Sequence, residues 1–133
     1  MKPQVFVLAP FTAESQPARE TVQKSAAEAG YEVVTVDSTL SSVPLTNRVL
    51  DGIRRADLIV ADLSGQNPSV MYELGFAHAL RKPTILMINA KTDSTFPPAL
   101  AGFFYIVYDT DNLDRLERDI RSEIRNRKME RSA

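Results

Sequence analysis

Two carboxylates and the residues between them are where this sequence could do chemistry. Asp62 closes the apolar run Leu58-Ile59-Val60-Ala61, and Glu73 follows eleven residues later within Tyr72-Glu73-Leu74-Gly75. Between them Ser64-Gly65-Gln66-Asn67-Pro68 turns the chain, with Asn67 and Pro68 in the order of a helix N-cap and a first helical residue. Val70, Met71, Leu74, Ala77, His78 and Arg81 recur at helical spacing, so Glu73 projects from a different face, and the two carboxylates are expected to flank one crevice. A carboxylate near a helix N-terminus feels the positive end of the helix dipole, which favours its ionised form. That form suits a nucleophile or a cation stabiliser. Breaking a glycosidic bond builds positive charge on the sugar, and a fixed carboxylate beneath that carbon stabilises or captures it. A plainer reading stands beside this one, in which Glu73 only complements the dipole and Asp62 only caps a turn. His78, five positions beyond Glu73, reads as a packed or hydrogen-bonded structural histidine.

The elements that must position these residues are short and regular. Gln4–Pro10 and Tyr31–Asp37 read as strands from their β-branched and aromatic content, as do the runs 58–62, Thr84–Ile88 and Phe103–Tyr108. Ala18–Ala29 forms a helix closed by Gly30, and Thr46 is placed to cap a second helix whose buried stripe is Val49, Leu50 and Ile53. A third helix starts at Pro68 and is stopped by Pro83, and Leu113, Leu116, Ile120 and Ile124 mark a fourth. The charged face of that last helix is expected to pair Asp111 with Arg115, Asp114 with Arg118 and Glu117 with Arg121, and its end from Lys128 is expected to fray. Ser38–Pro44 is a candidate lid, and Asn89–Gly102 is the longest connection, with a turn of helix at Ala99–Ala101. Five strands alternating with helices predict one α/β domain over residues 1–133, a three-layer, doubly wound, five-stranded parallel sheet in the flavodoxin-like order 2-1-3-4-5. Its switch point lies between the first and third strands. Ala9, Pro10, Phe11 and Thr12 then border the crevice from one side and Asp62, Ser64, Asn67 and Glu73 from the other, and Pro10, Phe11, Thr12, Ser15, Ser64, Asn67 and Tyr72 are the candidate substrate-binding residues.

Composition narrows the classes. A formal charge of −1 gives no global attraction to nucleic acid or an anionic membrane, and the acids and bases of the last helix alternate as on a solvated face. Without cysteine and with one histidine there is no thiolate or histidine-rich metal centre, and chemistry by the two carboxylates requires no metal and no bound cofactor, so none is expected. Met1–Pro10 is too short an apolar run for a signal peptide and no stretch reaches membrane-spanning length, which leads us to expect a cytoplasmic protein. A phosphoacceptor receiver needs an acidic pair after its first strand and a lysine after its fifth, where this chain has Ala9-Pro10 and Asp109. No glycine follows the first strand to cradle a mononucleotide phosphate, and neither a dinucleotide fingerprint nor a Walker loop occurs.

The segment ADLIVADLSGQNPSVMYELGFAHALRKPTIL resembles the core motif of the nucleoside 2-deoxyribosyltransferase-like superfamily, which includes nucleotide N-glycosidases and TIR-like NAD-cleaving domains. The resemblance implies that Glu73, in the Tyr-Glu-Leu-Gly element, is the catalytic carboxylate and that Asp62 orients the sugar or assists proton transfer at the base. It implies a nucleoside, nucleotide or NAD as substrate or ligand, with N-glycosidic cleavage or transfer as the reaction, and a homo-oligomer. TIR-like NAD hydrolysis and a non-catalytic nucleotide-sensing or protein-interaction module remain open beside it. The chain departs from the nucleotide N-glycosidases after its first strand, where Ala9-Pro10-Phe11-Thr12-Ala13-Glu14-Ser15 replaces a glycine- and serine-rich phosphate loop.

Overall fold

Apolar runs that cannot face water on either side form the centre of the molecule. In the computed structural model, which describes residues 1–36, 44–92 and 98–132 with side chains as far as Lys128, five strands pair in parallel, the two at the sheet edges partly exposed. They are β1 (Gln4–Leu8), β2 (Glu32–Val34), β3 (Leu58–Asp62), β4 (Thr84–Asn89) and β5 (Tyr105–Tyr108), in the order β2-β1-β3-β4-β5. This is the expected flavodoxin-like arrangement. All of β3 is buried, as a central strand covered on both faces must be. Helices α1 (Gln16–Glu28) and α4 (Leu113–Ser132) cover one face of the sheet, and α2 (Leu45–Arg55) and α3 (Pro68–Ala79) cover the other.

Alternate residues of β1, β3 and β4 feed two cores, and β5 adds to one of them. Val5, Leu58, Val60, Ile85, Met87 and Ile106 meet Val22 and Ala26 of α1 and Leu116, Ile120 and Ile124 of α4. Phe6, Leu8, Ile59, Ala61 and Leu86 meet Val49 and Ile53 of α2 and Val70, Leu74 and Ala77 of α3. The second core depends on a close approach at Gly52, where an added Cβ would lie 1.9 Å from Cε2 of Phe6. Gly30, at φ 96°, supplies the left-handed residue that ends α1, as expected.

Several boundaries differ from the sequence reading. β1 stops at Leu8 and β2 at Val34, while β5 starts only at Tyr105 and β4 runs one residue longer, to Asn89. Helix α2 begins at Leu45, with Pro44 rather than Thr46 in the cap position. The extended backbone of Pro44 sets the entry, its carbonyl accepting from Arg48 N at 3.1 Å, and Leu45 packs on the second core. The helical turn before β5 lies at Pro98–Leu100, and α4 continues to Ser132 where fraying was expected. On α4 the Glu117–Arg121 pair forms at 2.7 Å and Arg121 also meets Glu28 of α1. Asp111 instead binds Lys91, because it sits in the turn before the helix, and Arg115 faces Asp119 at 3.9 Å. Asp114 and Arg118 make no ion pair among the described residues. The candidate lid, apart from Pro44, lies outside the described residues, as does the stretch 93–97 of the long connection. No helix among the described residues is long and apolar enough to cross a membrane.

Candidate active site

The connections leaving the paired carboxyl ends of β1 and β3 run to helices on opposite faces of the sheet, and three hollows open around them. Glu73 borders two of them. The larger, about 440 Å³, lies between α2 and α3 and is lined by Phe11, Leu45, Thr46, Val49, Pro68, Ser69, Tyr72 and Glu73. The second, about 230 Å³, reaches over the ends of β1 and β2 toward α1, where Arg19, Gln23 and Thr35 join Phe11, Val49 and Glu73. The third, about 300 Å³, is polar: Thr12, Ser15, Ser64, Asn67, Asn89, Thr92 and Tyr108 line it with Pro10 and Glu14.

Glu73 sits in the second turn of α3, whose start is fixed by Asn67. The Asn67 carboxamide oxygen accepts from Ser69 N at 3.0 Å and Val70 N at 3.2 Å, the expected N-cap, and Pro68 follows as the first helical residue. Packing of Val70, Leu74 and Ala77 against the sheet fixes the rotation of the helix and leaves Glu73 half-buried at the edge of that face. Its carboxyl makes no hydrogen bond or ion pair among the described residues. Burial therefore dominates and pushes it up to about 7. This corrects the sequence expectation of a carboxylate held ionised by the helix dipole. Six residues beyond the cap, Glu73 lies past the first turn, where the dipole has largely decayed, and desolvation wins.

Tyr72 is 63% exposed beside it, and Phe11 is 66% exposed, so Phe11 is not packed as a core anchor. The Arg19 guanidinium lies 5.6 Å from the centre of the Phe11 ring and reaches the Pro10 carbonyl at 3.4 Å. Two aromatic side chains thus offer faces to the hollows that Glu73 borders. The loop after β1 holds itself together. Ser15 is 7% exposed, its hydroxyl donates to the carbonyl of Pro10, and its N–H donates to Thr12 Oγ1 at 3.2 Å. Pro10, Thr12 and Ser15 therefore border the polar hollow, while the Ser15 hydroxyl is committed to the loop.

Asp62 does not share a hollow with Glu73, contrary to the sequence expectation. It is 2% exposed and borders none of the three spaces. Its Oδ1 accepts from Ser64 N at 3.0 Å and Ser64 Oγ at 2.5 Å, and its Oδ2 accepts from the Tyr108 hydroxyl at 2.7 Å. Burial and the adjacent Asp62 carboxylate hold the Tyr108 hydroxyl well above its ordinary range. The reason for the separation is the period of two: Asp62 ends a strand on the side of Tyr108, whereas Glu73 rides on a helix packed against the opposite face. His78 bonds Thr84 Oγ1 through Nε2 at 3.2 Å and stacks on Phe103, and burial lowers its pKa, all in keeping with a structural role.

Sequence reasoning missed Arg19, Gln23, Thr35, Leu45, Thr46 and Val49 as residues of the site. One signal was available for the first two, since Arg19 and Gln23 stand four apart at the start of α1, the end that faces the carboxyl edge of the sheet.

The nucleoside 2-deoxyribosyltransferase family model matches residues 5–123. No curated protein matches the sequence. Among solved structures the chain is similar to the CMP N-glycosidase BcmB of Clostridium botulinum, with 24% identity and a TM-score of 0.65 over 86% of this chain and 98% of that one. It is similar to a 2-desoxiribosyltransferase from Leishmania mexicana, with 27% identity and a TM-score of 0.51 over 65% of this chain and 64% of that one. The TIR domain of the Toll-related receptor TRR-2 of Hydra magnipapillata shares the fold at 19% identity and a TM-score of 0.62, over 88% of this chain and 97% of that one. With its matched segment running from β1 into α4 and including both Asp62 and Glu73, the chain belongs to the nucleoside 2-deoxyribosyltransferase family.

Proposed function

We propose that the chain cleaves or transfers at the N-glycosidic bond of a nucleoside or nucleotide, with Glu73 as the carboxylate that meets the reacting sugar carbon. The observation that carries this reading is the position of Glu73. It has no partner among the described residues, it is desolvated, and it stands where two hollows meet beside exposed aromatic rings. Departure of the base leaves positive charge on the sugar, and a carboxylate out of bulk water stabilises that charge more strongly than a hydrated one. Ionised Glu73 either attacks the anomeric carbon, forming a glycosyl ester as the carbon–nitrogen bond breaks, or holds the cation for an incoming acceptor. Phe11 and Tyr72 offer the base flat surfaces, and the side-chain amides of Asn67 and Asn89 suit sugar hydroxyls. Membership of the family supports the reaction class.

A homo-oligomer belongs to the same proposal. Tyr105 and Val107 are exposed on one face of β5, Phe103 and Phe104 are exposed just before it, and together they give such an assembly an apolar surface. Light scattering on the purified protein tests it: a monomer at all concentrations is the contrary result.

The activity is tested by incubating the protein with ribonucleosides, deoxynucleosides, their 5′-monophosphates and NAD, singly and with an acceptor base, and separating free bases chromatographically. Release or exchange of a base from one class identifies the substrate. A protein that is stabilised against melting by one of these ligands yet leaves it intact is a sensor, and the proposal fails.

A further inference from the structure

The hydrogen bonds around Asp62 form a closed unit that the glycosidic reading leaves unused. Tyr108 donates its hydroxyl proton to Asp62 Oδ2 and Ser64 donates its own to Oδ1, while Ser64 N–H is a third donor to the same carboxylate. The Ser64 oxygen in turn accepts from the backbone N–H of Asn89 at 2.7 Å. Every donor in the set is used once. The unit joins the carboxyl ends of β3, β4 and β5, and it sits at the first residue of the turn that leads into α3. That turn is strained, since Gly65 and Gln66 both have positive φ, 71° and 48°, and Gln66 is not glycine. A non-glycine residue stays in that region only where its surroundings over-determine it. Leu63 N bonded to Met87 O at 2.8 Å and Gln66 N bonded to Leu63 O at 2.9 Å complete the restraint.

We propose that Asp62 and Tyr108 are positioning residues: through Ser64 they lock the strained turn onto the sheet and so aim the helix that carries Glu73. The inference rests on the role of Glu73 proposed above. Asp62 is buried, borders none of the three hollows, and has both oxygens occupied, so it acts on the site through its neighbours and not on the substrate. Tyr108 enters from the edge strand, with the other members of the unit supplied by β3, β4 and the turn. Removing its hydroxyl strips Asp62 Oδ2 of its donor within an otherwise intact core.

The test compares Tyr108→Phe, Asp62→Asn and the double variant, with Ser64→Ala as a further probe should either single variant fail to fold. Two readouts are followed, turnover and the titration of Glu73 by the 13C shift of its side-chain carboxyl. The clamp predicts that Tyr108→Phe lowers kcat about tenfold with KM changed less than about threefold, as expected for a lost geometric restraint. It also predicts that the Glu73 titration moves down from about 7 toward the ordinary carboxylate range, because a displaced helix lets water in. The double variant is no worse than the poorer single one, since both substitutions break one unit. The proposal is overturned if the Glu73 titration is unmoved in Tyr108→Phe. It is equally overturned if Asp62→Asn costs more than about a thousandfold in kcat while Tyr108→Phe equals the parent, which would make Asp62 a reacting group. If the parent releases no base from any substrate, the glycosidic reading falls, and the Glu73 titration still decides the clamp.

Discussion

Replacing Glu73 by Gln changes stability in a way that depends on pH, and the sign follows from the site. In the folded protein burial raises Glu73 from 4.5 to about 7, so between those values the native state holds a proton that the unfolded chain has released. Native stability therefore falls as pH rises through this window and is level on either side of it. At about 1.4 kcal/mol per tenfold change in the protonation equilibrium, the ceiling on the loss is about 3 kcal/mol. Glu73 keeps some contact with water, and screening reduces the expected loss to about 1–2 kcal/mol. The glutamine side chain of the Glu73→Gln variant has nothing to ionise. Below pH 4.5 the variant and the parent should melt together, and at pH 8 the variant should be the more stable by that amount, roughly 4–7 °C for a chain of this length. Thermal melts by circular dichroism from about pH 4 to 9 measure the difference directly. A constant offset across the range, or a variant that melts lower at pH 8, refutes the argument that a desolvated carboxyl without a partner among the described residues sits in this crevice.

The same ionisation should appear in catalysis: base release should rise through an apparent pKa near 7 as Glu73 becomes the carboxylate, and a flat profile from pH 5 to 8 would remove it from the mechanism. Gly52→Ala places a methyl group against the buried Phe6 ring and should cost about 1–3 kcal/mol in urea unfolding. Asn67→Ala removes the acceptor for Ser69 N and Val70 N and should destabilise by about 1 kcal/mol, with turnover falling as the start of α3 loosens. Phe11→Ala should raise KM for a base-bearing substrate by about tenfold while leaving stability within about 0.5 kcal/mol, because the ring is exposed; a loss of stability instead would mark it as structural.

The fold was legible because its signals are local. Each strand is an apolar run between turn residues, and the order β2-β1-β3-β4-β5 is one of the few that parallel strands with right-handed crossovers allow. The cap at Asn67 was equally readable, since a carboxamide followed by proline has few other uses. What escaped the sequence was set by contacts remote along the chain. The dipole argument for Glu73 was sound in sign, but it lost to desolvation by α2 and the Phe11 loop, which no local pattern reports. Asp62 and Glu73 looked like partners because they are close in sequence. The strand's alternation sends one toward Tyr108, forty-six residues away, and helix packing sends the other to the opposite face. Arg19 and Gln23 carried only their spacing near the start of α1 as a signal, because a polar helix face otherwise reads the same whether it borders water or a site.

The most direct test of the central claim is base release by Glu73→Gln under single-turnover conditions with the best substrate, on protein shown to be folded by its melt. The account predicts a fall of at least about a thousandfold in the rate of glycosidic cleavage with ligand binding retained, since the amide fills the same space without the charge the sugar needs. Cleavage at the parental rate would contradict it and place the reacting carboxylate elsewhere.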